Sequence, residues 1–194
     1  MIKSIIFVAL LTISSFVFAQ QPVSSLDQVF LNETLHHWIV ETYPKNISAD
    51  KAILVSEQIL RASKNENISL DLLVGVISQE SGFKTTAVSR EGAKGLMQVI
   101  PKWHQDKILG RKLSDPKVGI EVGTMVLKDC LNNHNQDHKK ALACYSGGTG
   151  KQAMKYYQLV LTKSKQFKDR LLLAAFFNDT DIDFNNLRFL LAAN

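Results

Sequence analysis

Along most of the chain apolar residues recur every three to four positions, the spacing that gathers them on one face of an α-helix. The pattern predicts helices over 24–43 and 48–64, the second with Ala52, Val55 and Ile59 on one stripe. The polar KNEN at 64–67 separates these from LLVGVISQESGFK, 72–84. There Ser69 is placed to cap a third helix, and Ile68 and Leu73 are spaced as a hydrophobic staple. Apolar residues at 70, 72, 73, 74, 76 and 77 leave that helix greasy on several sides, which predicts burial. Further on, Asp115-Pro116 reads as an N-cap followed by proline at the first helical position, and Ile120, Thr124, Leu127 and Leu131 continue one face. Asp137 opens a short helix closed by Gly147-Gly148, and Thr149 opens another that runs towards 164. Between 84 and 102 the period fails. Gly92, Gly95 and Pro101 punctuate a loop or short hairpin.

The resulting expectation is a mainly α single domain. After Phe167 the tail contains LLLAAFF, 171–177, far short of the ~20 apolar residues a membrane span needs. It predicts a terminal helix docked on the domain, with a partner-protein surface as the alternative. The first residues belong to another class of segment. Lys3, an apolar run over 5–18 and the small-x-small Val17-Phe18-Ala19 compose a secretory signal peptide with cleavage near Ala19. Gln20, and not a cysteine, stands directly after that site, which argues against a lipid anchor.

Composition changes the picture little: of 194 residues, 45% are hydrophobic and 21% charged, as in ordinary globular domains. Removing Lys3 with the leader leaves 22 basic against 18 acidic residues. This excess is mild and scattered, without the basic stripe of a nucleic-acid binder. Cys130 and Cys144 form a single even pair, which an exported chain more readily bridges than leaves free. The alternative is two buried thiols acting as small apolar side chains. His134 and His138 stand at a helical ligand spacing, but a polar NNHNQDH loop with no third ligand argues against a metal site. No cofactor is implied.

One acidic residue sits where a core residue should. Glu80 follows Ile77 by three positions and Leu73 by seven, so it shares their face at the last turn before Gly82. Desolvation and the negative end of the helix dipole both disfavour its charged form. A carboxyl kept protonated near neutral pH is what a general acid for glycosidic cleavage requires. The plain alternative is a glutamate that reaches solvent or pairs with Lys84.

ESGF at 80–83, then Ser89, then GLMQVIP at 95–101 and ALACYSGG at 141–148 resemble, in order and spacing, the motifs of the family 1 lytic transglycosylases. That group includes soluble lytic transglycosylases and small enzymes of type IV secretion and conjugation systems. The resemblance spans about 50–162. It implies a lysozyme-like domain at 48–165, preceded by an N-terminal helical segment at 20–47 and followed by a helical tail at 166–194. A small loop or hairpin segment would line a groove for the glycan strands of peptidoglycan.

Residue by residue, the resemblance makes Glu80 the single catalytic acid and Ser81 its partner serine. Ser89 falls on a groove serine near the scissile bond, and Gly95, Leu96, Met97 and Gln98 on the segment lining the groove. For Leu96 a core position is the better reading. Tyr145 falls on a tyrosine whose hydroxyl reaches the acid. Beside it, Ser146 stands where the family carries asparagine, and Cys144 where it carries alanine. The implied reaction is non-hydrolytic cleavage between N-acetylmuramic acid and N-acetylglucosamine with closure of a 1,6-anhydro ring, a lyase reaction. The alternatives are a muramidase on the same fold and a catalytically idle peptidoglycan-binding component of an envelope machine. Glu91, Asp106 and Asp115 are second carboxylates by position only. The implied setting is a periplasmic monomer, without nucleic acid, with an envelope secretion or conjugation apparatus as a conceivable partner.

Overall fold

Seven α-helices and one 3₁₀ turn form the framework of residues 25–177, the part described by the computed structural model. The signal peptide and cleavage site expected from the sequence fall outside the described residues, as do the last residues of the tail. Helices α1 (Ser25–Thr42), α2 (Ala49–Glu66) and α3 (Leu70–Glu80) match the predicted positions within a few residues. The polar KNEN does not break α2 where expected; the helix runs on to Glu66 and ends on Asn67 in the left-handed conformation. Asparagine tolerates that conformation better than most residues, so the stop falls there. Ser69 precedes α3, but its hydroxyl makes no capping bond to the backbone.

The segment 84–100 is irregular, folded back on itself by two isolated antiparallel bridges, Val88 with Lys94 and Lys94 with Val99. A 3₁₀ turn (Pro101–Trp103) and the short α4 (Gln105–Ile108) follow. Asp115 caps α5 (Pro116–Asn133) as predicted, accepting from the Lys117 and Val118 amides. Asp137 caps α6 (His138–Ser146), which closes on left-handed Gly147. His134 and His138 thus bracket the turn between α5 and α6. Cys130 and Cys144 are bridged, with Cα atoms 5.8 Å apart, tying α5 to α6.

The last helix departs from expectation. It does not stop near 164 but continues as one helix, α7 (Gly150–Phe177), about 42 Å long. Val160, Ser164, Phe167, Leu171 and Ala175 form a continuous buried stripe along it. The predicted tail helix therefore docks on the domain, as far as Phe177, as an extension of α7. No helix of the described residues is long and apolar enough to cross a membrane.

Helix α3 is the axis of the core. Leu70, Leu73, Val74, Val76 and Ile77 are fully buried, and the helix packs along α7 with α2 also against it. The approach to α7 is close because Gly75 has no side chain: a Cβ there would lie 2.2 Å from Ser164 Oγ and 2.7 Å from the Val160 carbonyl oxygen. A second, smaller cluster, Val99, Ile108, Leu113 and Val122, pins the loop-rich segment onto α5. The irregular part of the chain is thereby held by its own core.

Candidate active site

The end of α3 is built to stop abruptly and present Glu80. Ser81 donates its hydroxyl to the Leu96 carbonyl (2.8 Å), joining the helix end to the loop that follows. Gly82 and Phe83 both take positive φ, 53° and 64°, which turns the chain sharply. Such a conformation costs a phenylalanine energy that only strong tertiary contacts sustain. Here Phe83 is fully buried against Trp38 and Tyr43. Asn46 donates its side-chain amide to the Gly82 carbonyl (2.8 Å) and completes the anchor. The ESGF motif is thus one acid followed by three residues that fix its position.

Glu80, Ser89, Gln98, Tyr145, Ser146 and Tyr156 line one cavity of about 640 Å³. Burial raises the Glu80 carboxyl to about 7, although a hydrogen bond from the Tyr156 hydroxyl pulls the other way. The partner of the acid is therefore a phenol on α7, and not Lys84, which is exposed. Burial, reinforced by the nearby Glu80 charge, pushes the phenols of Tyr145 and Tyr156 above their usual range. Each stays a proton donor throughout the neutral range.

Tyr145 does not play the part implied for it. Its hydroxyl donates to the Met97 carbonyl (2.7 Å), so it ties α6 to the loop, while the bond to Glu80 comes from Tyr156. The physical reason lies in register: Tyr156 is on the helix packed directly along α3. Sequence reasoning missed Tyr156, which stands in no motif, and its place on the α7 face was the only available signal.

The GLMQ segment divides into core and groove. Leu96 and Met97 are buried, Met97 against Gly123 and with Sδ 3.6 Å from the Thr124 hydroxyl. Met97 therefore does not face the cavity, contrary to the groove role implied by resemblance; only its carbonyl takes part, as the acceptor for Tyr145. Ser81 likewise is absent from the lining and serves as a clamp. Gly95 has φ +76°, and a Cβ there would sit 2.1 Å from the Leu113 carbonyl oxygen, so only glycine fits. Gln98 is also left-handed (φ 48°) and donates its amide to the carbonyls of Ala87 (3.2 Å) and Gly95 (2.9 Å).

Ser89 accepts from the Glu91 and Ala93 amides, both at 3.2 Å, which shapes the turn beside the cavity. Ser146 accepts from the Gly148 amide (3.3 Å) and lies on an exposed corner at the end of α6. Of the other carboxylates considered, Asp115 is spent on its helix cap and Asp106 pairs with Lys107 (3.2 Å). Glu91 does line the cavity, exposed on its turn. Among the described residues no cluster of three or more His, Cys, Asp or Glu is placed to hold a metal ion.

A helical bundle whose central buried helix ends in a buried carboxyl on the wall of a groove is the arrangement of a lysozyme-like domain. The family model of the transglycosylase SLT domain matches residues 57–166, more than half of the chain, and the chain belongs to that family. It is 35% identical over 79 residues to a membrane-bound lytic murein transglycosylase C of Glaesserella parasuis, covering 36% of this chain and 22% of that protein. It is 36% identical over 94 residues to a transglycosylase of Enterobacteria phage PRD1, covering 48% of this chain and 34% of the other. The chain thus aligns with only about a fifth to a third of the length of these relatives. In fold it is similar to the X-ray structure of an inactive mutant of lytic transglycosylase Slt from Pseudomonas aeruginosa, with a TM-score of 0.56, 19% identity, and 75% of this chain and 30% of that one covered.

Proposed function

We propose that this protein is an exported peptidoglycan lytic transglycosylase in which Glu80 is the only protein group that moves a proton. The observation that carries the reading is a carboxyl raised to about 7 by burial, on the wall of a cavity of about 640 Å³. At neutral pH a large fraction of Glu80 is protonated and ready to donate. It gives its proton to the oxygen linking the muramic C1 to the glucosamine C4, and the C1–O bond breaks. Glucosamine departs with a 4-hydroxyl. Glu80, now a carboxylate, takes the proton from the muramic C6 hydroxyl as O6 closes on C1. The acid is restored, water takes no part, and the product carries a 1,6-anhydro end.

The remaining residues have supporting tasks. The Tyr156 hydroxyl donates to Glu80 and steadies the carboxylate formed midway. Ser89 accepts both of its backbone bonds, which leaves its own hydrogen for a sugar oxygen. Tyr145, held by Met97, walls the groove, and Ser146 offers one hydroxyl where an amide would reach further.

One feature favours a second reading, hydrolysis of the same bond: Glu91 is a further carboxylate on the cavity wall. A glycosidase needs such a group as base or nucleophile. Glu91 sits on an exposed turn rather than a rigid helix, which is poor support for aiming a water. The C6 hydroxyl competes with intramolecular advantage, and effective molarities of well-oriented groups reach ~10⁵ M. Digestion of purified sacculi in oxygen-18 water separates the two. Unlabelled anhydro ends are expected, lost at least ~100-fold in Glu80→Gln. Labelled reducing ends that vanish in Glu91→Gln would replace the lyase with a hydrolase. No digestion by the wild type would leave only glycan binding.

A further inference from the structure

Among the apolar residues of the described chain, Trp103 stands out: it is 66% exposed, yet it lines the same cavity as Glu80. An indole left in water forfeits much of the burial free energy available to it. The other tryptophan, Trp38, shows the usual outcome, buried in the aromatic cluster with 6% exposure. The place of Trp103 is also fixed. It ends the 3₁₀ turn (Pro101–Trp103), whose proline sets the first backbone angle. The Trp103 amide donates to the Ile100 carbonyl (3.1 Å), the His104 amide donates to the Pro101 carbonyl (3.3 Å), and neighbouring Val99 is rooted in the smaller core. The Lys102 ammonium lies 4.9 Å from the ring centroid, over one face of the indole. Even with that contact, about two thirds of the residue stays open to solvent.

We infer that Trp103 is a sugar-stacking platform, a binding position of the groove separate from the residues around the scissile bond. Its ligand would be the C–H face of one N-acetylhexosamine of the strand. The inference rests on the glycan-cleaving reading above. A β-linked pyranose shows its C–H hydrogens on one face, weakly positive, and they complement the negative face of an aromatic ring. The surroundings favour a sugar over a protein partner. The cavity that Trp103 lines mixes apolar side chains, Val99 and Ile100, with the hydrogen-bonding side chains of Ser89, Glu91, Gln98 and His104, which suits a ligand apolar on one side and hydroxyl-rich on the other. Protein-docking patches are instead apolar over a contiguous area. A platform on a preformed turn needs no ordering when the strand arrives, so little of the contact is offset by lost freedom. The cavity is larger than one sugar ring requires, which leaves room for a contact away from the acid.

The test compares wild type with Trp103→Ala and Trp103→Phe. With only two tryptophans in the chain and Trp38 buried, emission accessible to acrylamide belongs to Trp103. Saturation with an N-acetylglucosamine tetrasaccharide should shield it from quenching. On soluble glycan strands Trp103→Ala should raise KM about 10- to 100-fold, the range for losing one large aromatic contact, and change kcat far less. Trp103→Phe should recover most of the affinity, and an exposed site should leave the melting temperature of all three alike. Unchanged quenching together with KM within twofold of wild type in Trp103→Ala, in a preparation that digests sacculi, overturns the platform and spares the enzyme reading. A wild type that neither binds the tetrasaccharide nor digests sacculi overturns both.

Discussion

Replacing Glu80 by glutamine tests the central electrostatic claim without any substrate. In the native chain burial raises the carboxyl from its ordinary 4.5 to about 7. Because the folded pKa lies above the unfolded one, the native state holds this proton more tightly between those two values. Stability from this group is thus complete below about pH 4.5 and is lost as pH rises towards 7. The shift corresponds to about 3 kcal/mol at 1.36 kcal/mol per pH unit, and discounting for partial exposure leaves roughly 2–3 kcal/mol. Glutamine keeps the size and the carbonyl oxygen that accepts from Tyr156, but it does not titrate. Urea unfolding of both proteins at pH 4 and pH 8 isolates the effect, since every other group titrates in both. Relative to pH 4, glutamine should gain roughly 2–3 kcal/mol over wild type at pH 8, some 4–12 °C in melting temperature for a chain of this size. Parallel stability profiles would mean that Glu80 is solvated like any surface carboxylate, and the acid assignment would lose its physical basis.

Two further expectations concern the acid's neighbours. The Tyr156 bond favours the charged form of Glu80, so Tyr156→Phe should raise the carboxyl further and move the alkaline limb of the kcat/KM–pH profile upward, with lower activity on the acid side; a limb that stays put would detach Tyr156 from the acid. The Cys130–Cys144 bridge should leave no labelled thiols in unfolded, unreduced protein, and its reduction should cost about 3 kcal/mol and loosen the Tyr145 turn; two labelled thiols per chain would refute the pairing.

What could be read from the residues follows the range of the interactions involved. Helix positions were legible because each is set by a local period and a local cap, as with Asp115 and Asp137. The end of α7 was not, and Ser164 shows why. Around it the run Lys163, Ser164, Lys165 and Gln166 offers no apolar residue to carry the helical face forward. In the fold, Ser164 belongs to the buried stripe, and its Oγ occupies space that a Cβ on Gly75 of α3 would need, 2.2 Å away. A polar residue in a core stripe is intelligible only once its partner is known. Met97 and Gln98 carry the same lesson in the loop. Their spacing placed them together, but only the left-handed turn at Gln98 decides that one side chain enters the core and its neighbour lines the cavity.

The site exists where it does because one helix satisfies two demands at once. Raising the Glu80 pKa requires a helix buried almost throughout, which α3 achieves with its apolar residues and with Gly75 drawn against α7. Reaching a glycan requires that the same helix end at a groove. The chain reconciles these by ending α3 at Glu80 and building the groove wall from the irregular segment after it, held by the Ser81–Leu96 bond at one side and by its own small core at the other. The dependence runs both ways. Tyr145 on α6 is anchored through the Met97 carbonyl, and Tyr156 on α7 is anchored through the acid itself. A change that let the loop recede would therefore move Tyr145, open the acid to water, and lower its pKa towards that of an ordinary carboxylate. Loss of the groove wall and loss of the proton donor at neutral pH should then occur together, as one event.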